Sequence, residues 1–366
     1  MSDPHVAPPL RLGIVGCGGA RRSYGPVLRL VDGLEVAALM DVDTTAARAW
    51  ARVLGGPPVL WEFDRLLREA PLDALLITSP LAVRWEQACA ALEAGVHVLC
   101  EVPLARSVAE CDQLLAAATR GRALLMPAFA RRFERAFGCV RESVAVGELG
   151  ERLQARCDWS FYSPWGERRV ALRTWQGVFR EHAHQTVDLC RWWLDEVETV
   201  SADVDEMDGA LRAADQANLI LTHSGGISVH HISRTTRRSP VEQYILEGTG
   251  GSLHLSFGTG WSHDSSEPCR VTRQLHGEEP EDLTPASLPR LEEEIRRHHP
   301  YKLLLDRFVA AARDNEAPGI TGTDGRKALE VLEAARMSTV ERAKIALPLS
   351  PTGIGPRGFR DVYEPV

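Results

Sequence analysis

Leu12-Gly13-Ile14-Val15-Gly16-Cys17-Gly18-Gly19, followed by Val36-Ala37-Ala38-Leu39-Met40-Asp41, decides how this chain folds. A short apolar run entering a glycine turn reads as a buried strand handing over to a helix, and the second run reads as the next strand. Together they form the first βαβ of a dinucleotide-binding fold. Gly16 permits the tight turn, Gly18 lets backbone amides approach a pyrophosphate, and Gly19 completes the bare stretch before the helix. Asp41 ends the second strand, where a carboxylate accepts hydrogen bonds from an adenosine ribose and repels a 2′-phosphate, which favours NAD over NADP. Arg21 stands where a third small residue is usual, so its guanidinium either reaches the pyrophosphate or crowds the turn.

Working outward, the βα alternation continues through a helix at 44–54, a strand near Val59, a helix near Phe63, and strands at 73–78, 96–100 and 124–126. Ser107 and Glu110 form a capping box that opens a helix closing before Gly121. The expected architecture is α/β, an N-terminal Rossmann doubly wound parallel sheet over residues 1–127. In such sheets ligands lie at the carboxyl ends of the strands, so Gly16, Asp41, Thr78-Ser79-Pro80 and Glu101-Val102-Pro103 should line one crevice. From about Arg131 the pattern becomes a helix and then strands at 153–161, 197–204, 218–223, 227–233, 243–247 and 252–257. Turns such as Ser224-Gly225-Gly226 separate several of them, and helices at 291–314 and 324–343 follow. Residues 128–366 therefore read as a C-terminal α+β domain built on a largely antiparallel open sheet.

With 366 residues, 44% of them hydrophobic, the chain can bury a full core. A formal charge of −8, with arginine pairs at 21–22, 131–132 and 237–238 short and scattered, argues against nucleic acid as a partner. No run approaches the roughly 18 apolar residues that cross a bilayer, and residues 1–9 lack a signal pattern. The expectation is a cytoplasmic protein with no membrane partner. Its 8 cysteines stand singly, without a Cys-x-x-Cys pair, which predicts reduced, buried thiols and no metal site. Lysine occurs only at 302, 327 and 344, so none can act in the first domain.

The chain resembles the Gfo/Idh/MocA family of glucose-fructose oxidoreductase, inositol dehydrogenase and rhizopine-catabolism proteins. The resemblance runs through Gly13 to Gly19, Ala94 to Ala105, Arg132-Phe133, Gly177 to Leu194, Glu247 to Gly251 and Leu347-Pro348-Leu349. It implies a Rossmann domain, a substrate domain whose open sheet often forms dimer contacts, and NAD(P)-dependent oxidation of a sugar or cyclitol hydroxyl by a homo-oligomer, dimer or tetramer. Three family segments differ here. The Glu-Lys-Pro segment, whose lysine lies beside the nicotinamide and the reacting hydroxyl, reads Glu101-Val102-Pro103. Anchored on Gly177 and Asp188, the usual Asp and His of the second domain become Glu181 and Gln185. The Pro-Asn-x-x-His stretch has become Pro80-Leu81-Ala82-Val83-Arg84.

Taking a hydride from an alcohol carbon requires a group to receive the hydroxyl proton, a role typically worth about 10²–10⁴ in rate. Arg180-Glu181-His182-Ala183-His184-Gln185 offers two imidazoles and a carboxylate. A helix starting near Glu181 places 181, 184, 185 and 188 on one face, with His182 roughly 100° away. His184 is the first candidate for acid–base work. Glu181 either orients a histidine or substrate hydroxyl or is a first-turn acid favoured by the helix dipole. His182 and Tyr162 are the remaining candidates, Tyr162 on a stretch with Trp165 and Trp175 that could cover a substrate. Trp159 and Phe161 share the other face of their strand, as core or interface aromatics. Glu101 either touches the cofactor or serves as a turn acid, and Arg131-Arg132 either holds an anionic group or begins a solvated helix. Three functions follow. The leading one is an NAD(P)-linked oxidoreductase acting on a hydroxyl, ketone or imine of a small polar, sugar-like or cyclitol-like molecule. The others are an NAD-retaining lyase, epimerase or glycosidase with no net redox change, and a catalytically silent nucleotide-binding relative.

Overall fold

In the computed structural model, residues 8–161, 177–207, 214–234, 241–257, 269–284 and 293–350 are described. The leading apolar run forms β1 (Leu10–Val15), buried at every position but Arg11, as a strand covered on both faces must be. Then come α1 (Ala20–Tyr24), β2 (Leu34–Met40), α2 (Thr44–Val53), β3 (Val59–Leu60), α3 (Phe63–Glu69), β4 (Ala74–Ile77), α4 (Leu81–Glu93), β5 (His97–Cys100), α5 (Val108–Gly121) and β6 (Leu125–Pro127). The chain continues through α6 (Arg135–Ala145), β7 (Leu153–Ser160), α7 (Gly177–Leu194), β8 (Val197–Asp205), β9 (Gln216–His223), β10 (Gly226–Ser233) and β11 (Val241–Glu247). It closes with β12 (Gly251–Ser256), β13 (Arg270–Leu275), β14 (Glu281–Asp282), α8 (Glu293–Arg313), α9 (Gly322–Glu341) and β15 (Ile345–Ala346).

Two structural units result: residues 1–133 with 290–326, and residues 134–289 with 327–366. The segment 290–326, expected with the second domain on sequence order, thus returns to the first unit, where α8 packs on α1 and on the 3₁₀ turn Ala130–Phe133. It brings Lys302, paired with Asp306 at 2.7 Å, into that unit, so the expectation of a first domain without lysine does not hold. In the first unit six parallel strands are ordered β3-β2-β1-β4-β5-β6, so the order reverses direction between β1 and β4. That reversal opens a crevice at the carboxyl ends of the strands. Gly121 belongs to α5 itself, and only glycine fits there, since a Cβ would lie 1.7 Å from the Leu92 carbonyl oxygen of α4. Arg122 takes the left-handed capping conformation instead, at φ 52°.

In the second unit nine strands are ordered β14-β13-β12-β11-β7-β10-β9-β8-β15. Every pairing is antiparallel except β7 with β10, which run parallel in register from Leu153↔Gly226 to Ser160↔Ser233. Alternation on β7 turns Leu153, Ala155, Cys157 and Trp159 inward and leaves Gln154 and Arg156 exposed. The inward face is covered by α6 and α7 through Phe137, Val140, Leu189 and Trp193, which meet Tyr244, Leu246, Leu253 and Leu255 of the sheet. Strand β13 carries too few apolar residues, and β14 and β15 are too short at two residues each, to be marked in the sequence.

Candidate active site

The glycine turn after β1 is closed on one side and open on the other. Gly16 adopts φ 90°, and a Cβ on it would lie 2.7 Å from the Ser79 amide nitrogen and 2.8 Å from the Thr78 carbonyl carbon. Thr78 clamps the turn: its amide donates to the Val15 carbonyl at 2.8 Å and its hydroxyl to the Gly16 carbonyl at 2.5 Å. At Gly18 and Gly19, by contrast, a Cβ would meet nothing within 4 Å. Asp41 holds the rim, its Oδ2 accepting from the Cys17 amide at 2.6 Å and its Oδ1 from the Asp43 amide at 2.8 Å. Each carboxylate oxygen retains a lone pair for a ribose hydroxyl. Cys17, beneath the turn, is a neutral thiol, pushed up to about 12 by burial and then by the charge of Asp41. Arg21 is exposed on α1, in solvent rather than wedged between helix and strand. These residues fit an adenine dinucleotide: bare backbone with open space for a diphosphate, and a fixed carboxylate for a ribose.

Beside the turn, Ser79 is buried and donates from its hydroxyl to Gln87 Oε1 at 2.5 Å, while Pro80 occupies the N-cap position of α4. Glu101, half-buried after β5, accepts from the Tyr24 hydroxyl at 2.7 Å. Tyr24 is fully buried with its ring edge-on to Tyr301 at 5.0 Å, and burial, then the charge of Glu101, holds its hydroxyl well above the usual tyrosine range. It therefore stays a donor that orients the carboxylate. Arg131 and Arg132 do not begin a solvated helix: Arg131 is buried, and Arg132 bridges Asp324 at 3.2 Å and lies over the Phe129 ring at 5.9 Å.

The second unit carries the acid–base candidates on α7, which begins at Gly177, four residues before the expected start. Glu181 is thus beyond the first turn, and the helix-dipole reading of it no longer applies; its side chain lies outside the described residues, as do Tyr162, Trp165, Trp175 and Arg237-Arg238. His182 is held edge-on against Trp159 at 4.6 Å and Phe161 at 4.9 Å, so its ring is part of that aromatic cluster. His184, two residues on and so nearly opposite around the helix, is 2% exposed. Asp188 is buried beside Arg191 at 3.7 Å, and Arg191 also reaches Glu196, which is bridged by Lys327.

Two features escaped the sequence reading. Gln185 is half-buried, and its Oε1 has no hydrogen-bond partner among the described residues. Secondly, the fold gathers Cys157, Cys190 and His230, whose ligand atoms lie within 4.8 Å of one another, from β7, α7 and β10. The sulfurs are 3.5 Å apart. Both His230 nitrogens are engaged, Nδ1 with the Thr186 hydroxyl at 2.9 Å and Nε2 with Ser228 Oγ at 2.8 Å, and Ser228 continues to His223 at 2.8 Å. Those bonds account for the trio as a buried polar network. No spacing in the sequence could have revealed it, because its members come from three separate elements.

Residues 10–129 match the family model for the oxidoreductase family with an NAD-binding Rossmann fold, and residues 137–254 match the model of the GFO/IDH/MocA C-terminal domain. The myo-inositol 2-dehydrogenase of Thermotoga maritima is 26% identical over 92% of this chain and 98% of its own length. The D-apiose dehydrogenase of Paraburkholderia graminis is 24% identical over 91% of this chain and 88% of its own. An oxidoreductase from Agrobacterium radiobacter, solved with NAD+, L-tartaric acid and magnesium, superposes with a TM-score of 0.81 at 18% identity, covering 92% of this chain and 98% of that one. With a family model matched in each half and a glycine turn shaped for a diphosphate, this chain belongs to the Gfo/Idh/MocA oxidoreductase family.

Proposed function

We propose that this protein is an NAD-dependent oxidoreductase acting on a hydroxyl, ketone or imine of a small polar molecule of the sugar or cyclitol class. The observation that carries the reading is the turn after β1, with Gly16 sealed against Thr78-Ser79, open space at Gly18 and Gly19, and Asp41 fixed at the rim. Asp41 supports NAD over NADP, since a 2′-phosphate would place charge against charge. The relatives named as inositol and apiose dehydrogenases support the substrate class.

The bound nicotinamide supplies a hydride acceptor or donor; the chain must bind it, orient the substrate and move the hydroxyl proton. With valine at 102, that proton falls to the helix-borne set. His182 fits ring packing, which leaves His184 and Glu181, with Tyr162, as the acid–base candidates, and Gln185 as a group able to accept a hydrogen bond from a substrate hydroxyl. Assembly through the open face of the nine-stranded sheet, where Ile220 and Ile227 are exposed, completes the reading, and light scattering tests it.

Titration with NADH and NADPH, followed by a panel of polyols, sugars, ketones and imines at 340 nm, tests the proposal. Tighter binding of NADH and turnover of a polyhydroxylated compound are expected. Cofactor retained through desalting with turnover but no change at 340 nm would replace it with the internally redox-neutral reading, and binding without turnover of any panel member with the silent one.

A further inference from the structure

Arg84 lies in the first turn of α4, is 8% exposed, and donates only to main-chain oxygens at the carboxyl ends of β4 and β5. Its Nε and Nη2 reach the Ser79 carbonyl at 3.1 and 2.9 Å; its Nη1 reaches the carbonyls of Glu101 at 3.2 Å and Pro103 at 2.7 Å. Carbonyls just past the last ladder bond of a strand need donors, and a planar fork of five N–H groups can serve several at once where an ammonium cannot. One guanidinium thus ties the turn after β4 to the turn after β5. The same 101–103 segment is pinned a second time by the Tyr24 hydroxyl on Glu101. Between these anchors lies Val102, a buried apolar side chain with no proton to give.

Sheet order says what this wall faces. With the diphosphate at the turn after β1 and the adenosine ribose at Asp41 beyond β2, the other half of a dinucleotide extends over β4 and β5. We infer that Arg84 is a positioning residue for that half: by tying Ser79 to Glu101 and Pro103 it fixes the wall against which the nicotinamide end rests. This rests on the dinucleotide reading proposed above. It also makes the residues at 84 and 102 parts of one arrangement, a buried guanidinium bonded to the carbonyls on either side of a buried valine.

The test compares the wild-type protein with Arg84→Lys and Arg84→Met by calorimetric titration of NADH and of ADP-ribose, which lacks the nicotinamide, with circular dichroism as the check on folding. Both variants should bind ADP-ribose within about twofold of wild type and NADH about tenfold more weakly, because neither replacement holds all three carbonyls. Lysine failing to rescue separates the fork from its charge. NADH affinity unchanged in both variants, NADH and ADP-ribose weakened in parallel, or neither variant folding would each overturn the assignment. A wild-type protein that binds neither ligand would remove the dinucleotide reading itself, an outcome separate from failure of Arg84's role.

Discussion

Gly16 and Gly18 lie two residues apart and do opposite jobs. At Gly16 a methyl group would collide with main chain that cannot move, in a conformation that side chains resist; at Gly18 it would enter open space. Gly18→Val should therefore keep the thermal midpoint within about 2 °C of wild type while abolishing NADH binding, since the obstruction exists only when a diphosphate arrives. Gly16→Ala should lower the midpoint by several degrees through clash and strain of about 1–3 kcal/mol. Melting curves and calorimetry on both variants check the pair; a Gly18→Val protein that still binds NADH refutes the placement of the diphosphate. Gln185 offers a residue-scale test of the chemistry. Gln185→His puts an imidazole at the position where the family resemblance implies one, so kcat/KM should gain an ionisation near the ordinary histidine value of about 6.5.

Among the elements, α5 shows how far local rules reach. Ser107 was legible as a cap, and its hydroxyl does accept from the Glu110 amide at 3.2 Å. Glu110, however, completes the box one residue earlier than expected, its carboxylate accepting from the Arg106 amide at 2.8 Å and pairing with the Arg106 side chain. Ser107→Ala should cost about 1 kcal/mol in denaturant unfolding, and Ser107→Asp should recover most of it, because either oxygen serves the same amide. Equal stability of Ser107→Ala and wild type would show the cap to be idle. The end of α5 departs from the expected glycine cap for an equally physical reason: Gly121 is demanded by the approach of α4. The early start of α7 was likewise hidden, since nothing in Gly177-Val178-Phe179-Arg180 marks a cap.

For the molecule as a whole, two histidines, one in each unit, contribute to the response to pH just below neutrality. In the first unit His97 accepts from the Leu124 amide at 2.9 Å through Nδ1, and burial holds it below its ordinary value of 6.5 against a smaller opposing pull from Asp73. In the second unit burial likewise lowers His223 from 6.5. The unfolded imidazoles take up protons at higher pH than the folded ones, so the stability these groups contribute is complete above 6.5 and is lost as pH falls below it. The thermal midpoint should be flat from about pH 7 to 8 and decline below about 6.5. His97→Asn, whose Oδ1 can replace Nδ1 as the acceptor, should decline less steeply; a profile identical to wild type would exclude His97 from the effect. What the sequence determined by itself was whatever depends on neighbours along the chain: the glycine turn, the acid closing β2, the alternation of β7, the order of strands and helices through β12. The tertiary structure alone decided what depends on residues far apart. The return of 290–326 to the first unit, the ring packing of His182, the Cys157–Cys190–His230 network and the grip of Arg84 on three carbonyls all arise because packing, not spacing, selects which distant groups must satisfy one another.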